Sequence, residues 1–241
     1  KYTMKKMNEY ERHAYLYSAW AALTIPLLMT VYIVVTQMPS VLTILYAVLR
    51  VIGVFVSIVV LYAALGFYIR ELFRATSKYI FQFPLFKEDE TCMPTTEFLL
   101  FKNKLIAKEL IVKVHELMSV QYGYTMFSEK KEKADEQEAR RNIVGAVSIM
   151  KETTRGDRML LQCNYRYGFQ RNMLGGVVWS FFAIFLFMII SSINSLPFVC
   201  PCLIGLILTL AQGIFAFVSM KYTARNYART LINTFVSQNS K

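Results

Sequence analysis

Two long runs of apolar residues dominate the chain. Between residues 14 and 69 the only formal charge is Arg50, and residues 173–220 carry none. Because about 20 apolar residues are enough to cross a bilayer, each run is long enough for two spans. A turn-forming cluster with a proline interrupts each run, at residues 36–40 and 191–197. The pattern predicts transmembrane helices at residues 19–36, 41–61, 174–193 and 203–220.

The region between the two runs is polar and has helical periodicity. Apolar residues recur with a period near 3.6 across residues 97–122, which predicts an amphipathic helix ended by Gly123. Residues 128–151 predict a second helix with a highly charged first half. Two further helices are expected to be continuous with spans: the second span extends to about residue 77, and residues 157–172 lead into the third.

These elements predict an all-α integral membrane protein, with four transmembrane helices in two hairpins and a cytoplasmic helical insert between them. The predicted organisation is an N-terminal segment with the first hairpin (residues 1–69), a cytoplasmic helical domain (residues 70–172), a second hairpin (residues 173–220) and a basic cytoplasmic tail (residues 221–241).

The distribution of charge predicts the orientation. The formal net charge is +11, yet both hairpin turns lack Lys and Arg, which are concentrated in the head, the insert and the tail. By the positive-inside rule, both termini are then cytoplasmic in a multi-pass protein of the plasma (inner) membrane. Anionic membrane lipids account for the excess of positive charge, so a nucleic-acid partner is not required by it.

Arg50 is the most informative single residue in the spans. It lies about ten residues into the second predicted span, near the bilayer midplane, where an Arg costs at least about 2.5–3.5 kcal/mol. No predicted span contains a carboxylate, so Gln212 in the middle of the fourth span is the best candidate partner. Two interpretations remain open: Arg50 and Gln212 beside a water-filled path, or a structural Arg held by hydrogen bonds or by snorkelling.

A stripe of small residues indicates close helix association. Gly205, Thr209 and Gly213 recur every four residues along the fourth predicted span. Such spacing lets another helix approach closely, within one chain or between chains. Together with the modest core expected of the insert, it favours a homo-oligomer.

Basic residues near the predicted membrane boundary form a candidate site for anions. Lys221, Arg225 and Arg229 follow one helical face just after the fourth span, and Arg166 and Arg171 precede the third. Lipid phosphate is one interpretation. The other is a ligand site for a cytoplasmic protein or for an anionic nucleotide or oligonucleotide.

The sequence lacks the signatures of an enzyme. There are two histidines, and no phosphate-binding loop, nucleophile elbow or zinc-protease motif is present. We therefore expect a protein that is not an enzyme and has no catalytic residue, metal site or cofactor.

Two short strings, Q-R-N-M-L at residues 170–174 and R-N-Y-A-R at residues 225–229, accompany this layout. With a membrane hairpin, a helical insert and a second hairpin in that order, the chain resembles the small multi-spanning membrane proteins encoded beside bacterial antiphage defence genes. There the usual partner is a nucleotide-signalling or nucleic-acid-guided enzyme. The resemblance implies an oligomeric membrane-disrupting or channel-forming effector, and it transfers no ligand-binding residue.

Two functions follow as expectations. The first is an oligomeric pore or channel-like effector, gated from the cytoplasm by a ligand or partner protein in antiviral defence. The alternative is a non-conducting membrane anchor or scaffold that docks a cytoplasmic partner through its helical domain.

Overall fold

A computed structural model describes residues 11–37 and 52–239, and every regular element in those ranges is helical. A π-helical turn, Glu11–Leu16, leads into α1 (Tyr17–Gln37), and α2 (Ile52–Ser77) runs on through a second π-helical turn, Lys78–Gln82, to the short α3 (Phe83–Phe86). The remaining helices are α4 (Pro94–Glu97), α5 (Lys108–Tyr122), α6 (Glu129–Ala134), α7 (Glu136–Thr153), α8 (Arg158–Ile193) and α9 (Val199–Asn239).

In the described ranges, three helices are long and apolar enough to cross a membrane: Ala14–Ile33, Arg158–Ile193 and Val199–Asn239. They contain most or all of the predicted spans at residues 19–36, 174–193 and 203–220. Much of the predicted span at residues 41–61 lies outside the described residues. The predicted turn in the second apolar run is confirmed, because α8 ends at Ile193 and α9 begins at Val199.

The chain divides into two compact units. The first, here called the apolar unit, contains the residues up to Lys78 and Phe169–Val218. The second, the charged unit, contains Tyr79–Gly168 and the residues from Ser219 onward. Helices α8 and α9 each contribute residues to both units.

Close helix contacts at glycine hold the apolar unit together. A side chain at Gly175 would overlap the backbone of Phe73, and one at Gly176 would overlap Ala22 and the Phe73 ring. The absence of a Cβ therefore lets α8 approach α1 and α2 closely, as small residues commonly do between membrane helices.

The charged unit has a core of its own. Phe98, Leu99 and Leu100 are buried together with apolar residues of α5 and α7. The C-terminal part of α9 joins this core through four side chains that are at most 1 % exposed, Ala228, Leu231, Ile232 and Phe235. This segment coincides with the predicted basic tail, and it is part of a packed helical unit.

The predicted helix at residues 97–122 is wrong in its first half, because α5 begins only at Lys108. A tertiary contact decides this: Glu132, 5 % exposed, accepts hydrogen bonds from the backbone N–H groups of Phe101 (2.9 Å) and Lys102 (3.1 Å). The predicted stop at Gly123 is confirmed, since its φ of 61° is left-handed and its N–H bonds to Met118 O.

The predicted helix at residues 128–151 is broken into α6 and α7. Asp135 has an extended backbone, and its side chain accepts a hydrogen bond from the Glu138 N–H at 3.0 Å. It is therefore the N-cap of α7, and this local bond competes with helix continuation. The predicted continuous helix from residue 157 into the third span is confirmed by α8.

Candidate functional sites

A hydrogen bond from Ser180 to helix α1 compensates for Pro26. Proline has no N–H, so Pro26 leaves the carbonyl of Ala22, four residues earlier, without its helical donor. Ser180 of α8, 1 % exposed, donates its hydroxyl to Ala22 O at 2.7 Å. An unsatisfied carbonyl in hydrocarbon costs several kcal/mol, so this bond accounts for a Ser inside an apolar helix.

Two other polar side chains donate hydrogen bonds to backbone carbonyls of α1 and of the π-helical turn before it. Gln212 Nε2 of α9 lies 2.9 Å from Ala21 O, and Asn172 Nδ2 of α8 lies 2.6 Å from Ala14 O. Together with Ser180, they make three hydrogen bonds from side chains of α8 and α9 to the backbone of the first helical segment, residues 11–37.

Arg171 belongs to this hydrogen-bonded group and is buried. It is 7 % exposed, and its Nε and Nη2 lie 3.2 and 3.1 Å from Asn172 Oδ1. Its predicted role in binding a ligand or a lipid phosphate stays a prediction. The guanidinium orients the Asn172 amide, whose NH₂ group then reaches Ala14 O.

The structure describes Gln212 of the predicted pair with Arg50, whereas Arg50 lies outside the described residues. The Gln212 amide nitrogen bonds to the Ala21 carbonyl. Its Oε1 atom is buried and has no hydrogen-bond partner among the residues that the structure describes. In the described part of the chain, Oε1 is therefore an unused hydrogen-bond acceptor.

The stripe of small residues on α9 lies against other helices of the same chain. A side chain at Gly205 would press on Met29 Sδ, and one at Gly213 would lie 3.0 Å from Val177 Cγ1. Thr209 between them is fully buried. These contacts use the stripe for close packing of α9 on α1 and α8.

The other predicted basic residues lie in the charged unit and are exposed. They are Arg166, Lys221, Arg225 and Arg229. The Arg229 guanidinium carbon lies 5.8 Å from the centre of the Phe98 ring, a cation–π contact that ties it to the core of the unit. Arg171 belongs to the apolar unit.

The loop between α3 and α4 is strained, and the sequence did not reveal this strain. Lys87 has φ 59° and ψ 159°, and Glu90 has φ 59°. Residues other than glycine rarely adopt such angles, and each costs about 1–3 kcal/mol unless the surroundings enforce it.

Hydrogen bonds from two helices enforce this loop geometry. Arg140 Nη1 of α7 donates to Thr91 O at 2.6 Å, and Lys151 Nζ, also of α7, lies 2.8 Å from a Glu90 carboxylate oxygen. Thr96 Oγ1 of α4 donates to Glu90 O at 2.9 Å. The strain is therefore maintained by contacts that pin the loop to the surface of α7.

A groove of about 300 Å³ separates this loop from the start of α7, and we call it the charged groove. Its described lining residues are Lys87, Asp89, Thr91, Cys92, Glu136, Gln137, Arg140 and Arg141. Three basic and two acidic side chains leave it with a net charge of +1.

Both carboxylates of the charged groove are ionised near neutral pH and are engaged by neighbours. A hydrogen bond from the Thr91 side chain lowers the pKa of Asp89. Hydrogen bonds from Lys102 and Arg140 lower the pKa of Glu136. Glu136 is thereby paired with Lys102 and Arg140, while the charge of Lys87 also lowers the pKa of Asp89. Arg141 is exposed and makes no described ion pair. The groove favours an anionic group.

Within residues 11–37 and 52–239, no group of three or more His, Cys, Asp or Glu side chains could hold a metal ion. Comparison of the chain with protein-family models, with curated proteins and with solved structures gave no match.

Proposed function

We propose that this protein is a multi-pass membrane anchor whose charged unit docks an acidic segment of a partner protein in the charged groove. The observation that carries the proposal is the strained loop from Lys87 to Glu90, which α7 holds above the groove. Strain maintained by several contacts is typical of ligand sites, because it keeps a binding surface in one geometry before the ligand arrives.

The apolar unit suits an anchor. Ser180, Gln212 and Asn172 donate to backbone carbonyls of the first helical segment, so these polar groups contribute to helix association. Large apolar side chains on the outer faces of α8 and α9, such as Phe182 and Ile207, are more than half exposed and would contact lipid. By the positive-inside rule the charged unit is cytoplasmic, as are both termini, in a bacterial inner membrane.

A ligand-gated oligomeric pore with a role in antiviral defence is the second candidate. The unbroken course of α8 over 36 residues and of α9 over 41 residues favours it, because a continuous helix transmits a displacement along its length. Arg50 and Gln212 would lie in or beside the conducting path. The exposed basic residues Arg166, Lys221, Arg225 and Arg229 would contact a nucleotide or an oligonucleotide.

Binding of an acidic probe tests the docking proposal. Full-length protein in nanodiscs would be titrated with a fluorescent octaglutamate peptide, and binding followed by anisotropy. Reversing the charge of Lys87 and Arg141 together should weaken binding about fivefold to tenfold, since each exposed charge pair contributes up to about 1 kcal/mol. The matched control reverses Lys113 and Lys130, which are exposed and lie outside the groove.

Two results would count against docking in this groove: equal binding by the groove variant and the wild type, or equal weakening by the control. A dye-release assay in liposomes separates the two functions. An anchor releases no dye with or without octaglutamate or a cyclic oligonucleotide. Release that Arg50→Ala abolishes would replace the anchor proposal with the pore.

A further inference from the structure

An apolar groove of about 490 Å³ lies between α1 and α2 in the apolar unit. Its α1 wall includes Trp20, Leu23 and Leu27, and its α2 wall includes Leu65, Gly66 and Arg70. Apart from Arg70, the described lining residues are apolar. This surface is separate from the charged groove of the other unit.

The groove is closed at one end, where the π-helical turn before α1 contacts α2, and the described leucines of both walls are exposed further along. At the closed end, the Arg74 guanidinium carbon lies 5.3 Å from the centre of the Tyr15 ring, and Phe73 is 3 % exposed. Away from this end, Leu27 and Leu65 are 45 % and 49 % exposed. A Cβ placed on Gly66 would meet nothing within 4 Å, so the groove has space for an additional apolar group.

The distribution of charge along α2 resembles that of a phospholipid, which has a long apolar part and a charged group at one end. Residues 52–69 carry no charge, and Arg70 is the first charged residue of the helix. Its guanidinium carbon lies 5.2 Å from the centre of the Phe67 ring. Across the groove, Trp20 is 42 % exposed, and Trp is enriched at the level of lipid headgroups. The groove is thus polar at one end and apolar along its length.

We propose that this groove binds one phospholipid, with its phosphate at Arg70 and an acyl chain between Leu23 and Gly66. Guanidinium groups form charge-assisted hydrogen bonds to phosphate, and an acyl chain would cover the exposed Leu27 and Leu65 of the two walls. The inference goes beyond the anchor function, because it requires no partner protein and involves the other unit.

Native mass spectrometry of the full-length protein tests the proposal. Protein purified in mild detergent would be delipidated and titrated with palmitoyl-oleoyl phosphatidylglycerol. We expect one lipid to bind per chain with a distinct first affinity. Gly66→Leu and Leu27→Trp each fill the groove and should remove this first binding step. Arg70→Gln should weaken it about tenfold, as expected for the loss of one charge-assisted hydrogen bond.

The control is Leu28→Trp, since Leu28 is adjacent in sequence, 64 % exposed and outside the groove lining. Unchanged helicity and elution volume would show that each variant folds. The proposal is overturned if Leu28→Trp and Leu27→Trp reduce lipid binding equally, or if Gly66→Leu leaves it unchanged. It is also overturned if the wild type is a dimer that Gly66→Leu dissociates, because the occupant is then a second copy of the chain.

Discussion

The bond between Ser180 and Ala22 can be tested through the proline that makes it necessary. Ser180→Ala removes the hydroxyl that lies 2.7 Å from Ala22 O, while Pro26 supplies no N–H to the same carbonyl. The variant therefore leaves a buried carbonyl without a donor. Hydrogen bonds between membrane helices contribute about 0.6 kcal/mol on average and up to about 1.7 kcal/mol. We expect a cost of about 1–1.7 kcal/mol, above the average because Pro26 supplies no N–H to this acceptor.

The same substitution should cost much less in a Pro26→Ala background. There the backbone N–H at position 26 can bond to Ala22 O as in an ordinary helix, so the Ser180 hydroxyl is no longer needed. The difference between the two costs is the coupling energy of a double-mutant cycle, and we expect about 1 kcal/mol.

Unfolding of the full-length protein in mixed micelles, followed by helicity against denaturing detergent, would measure the four free energies. Ser192→Ala provides the control, because Ser192 is on the same helix and exposed. If Ser180→Ala costs the same with and without Pro26, the serine does not compensate for the missing N–H, and this account of the contact is wrong.

Three further changes test other parts of the structure. Glu132→Gln should speed amide hydrogen exchange at residues 101–102 about tenfold, since it replaces one of the two acceptor oxygens by an NH₂ group. Glu138→Gln is the control, and equal exchange rates in Glu132→Gln and the wild type would show that Glu132 does not fix this backbone. Burial lowers the pKa of His115 from 6.5 to about 4, so the unfolded chain binds the proton more readily and stability should fall as pH drops from about 6.5 to 4. After discounting for partial exposure we expect about 1–2 kcal/mol, measured as the difference between wild type and His115→Gln at each pH; parallel profiles would refute it. Gln212→Leu should lower the midpoint of thermal unfolding in detergent, because it removes the bond to Ala21 O, and an unchanged midpoint would contradict that.

Three of the four apolar segments, and the turn between the last two, were predictable because they depend on local pattern. A run without charges implies a span wherever it occurs, and the prolines and polar residues at 191–197 indicate a turn without reference to the rest of the chain. Gly123 likewise ends α5 through its own left-handed conformation. Such features can be predicted because they depend on neighbouring residues and not on contacts with distant ones.

The part of the charged unit that carries the groove depends on distant residues. Glu132 fixes the backbone at Phe101 from 31 positions away, so the periodicity of residues 97–107 did not decide their conformation. The loop at Lys87 and Glu90 is held by Arg140 and Lys151, and neither pairing has a sequence signature. The charge run at residues 129–141 showed that charged side chains were present, and the fold decided which of them line a groove.

One part of the apolar unit could have been inferred from the sequence. Pro26 inside a predicted span leaves a carbonyl in need of a donor, and Ser180 is among the few hydroxyl residues in the middle of the other predicted spans. The choice of Ala21 and Ala14 as further acceptors required the register between helices, which depends on the contacts at Gly175 and Gly176.

The role of Gln212 changes what its substitution can show about Arg50. A bond between Gln212 and Arg50 predicts that Gln212→Leu loses stability, but the loss of the bond from the amide nitrogen to Ala21 O predicts the same result. Since Arg carries donors alone, a bond from Arg50 has to reach Oε1, which is the acceptor left over in the described part of the chain. Gln212→Leu removes the bond to Ala21 O whether or not Arg50 is present. It removes an acceptor for Arg50 only when Arg50 is present. A stability cost that persists in an Arg50→Leu background therefore belongs to Ala21, and the cost that disappears there belongs to Arg50.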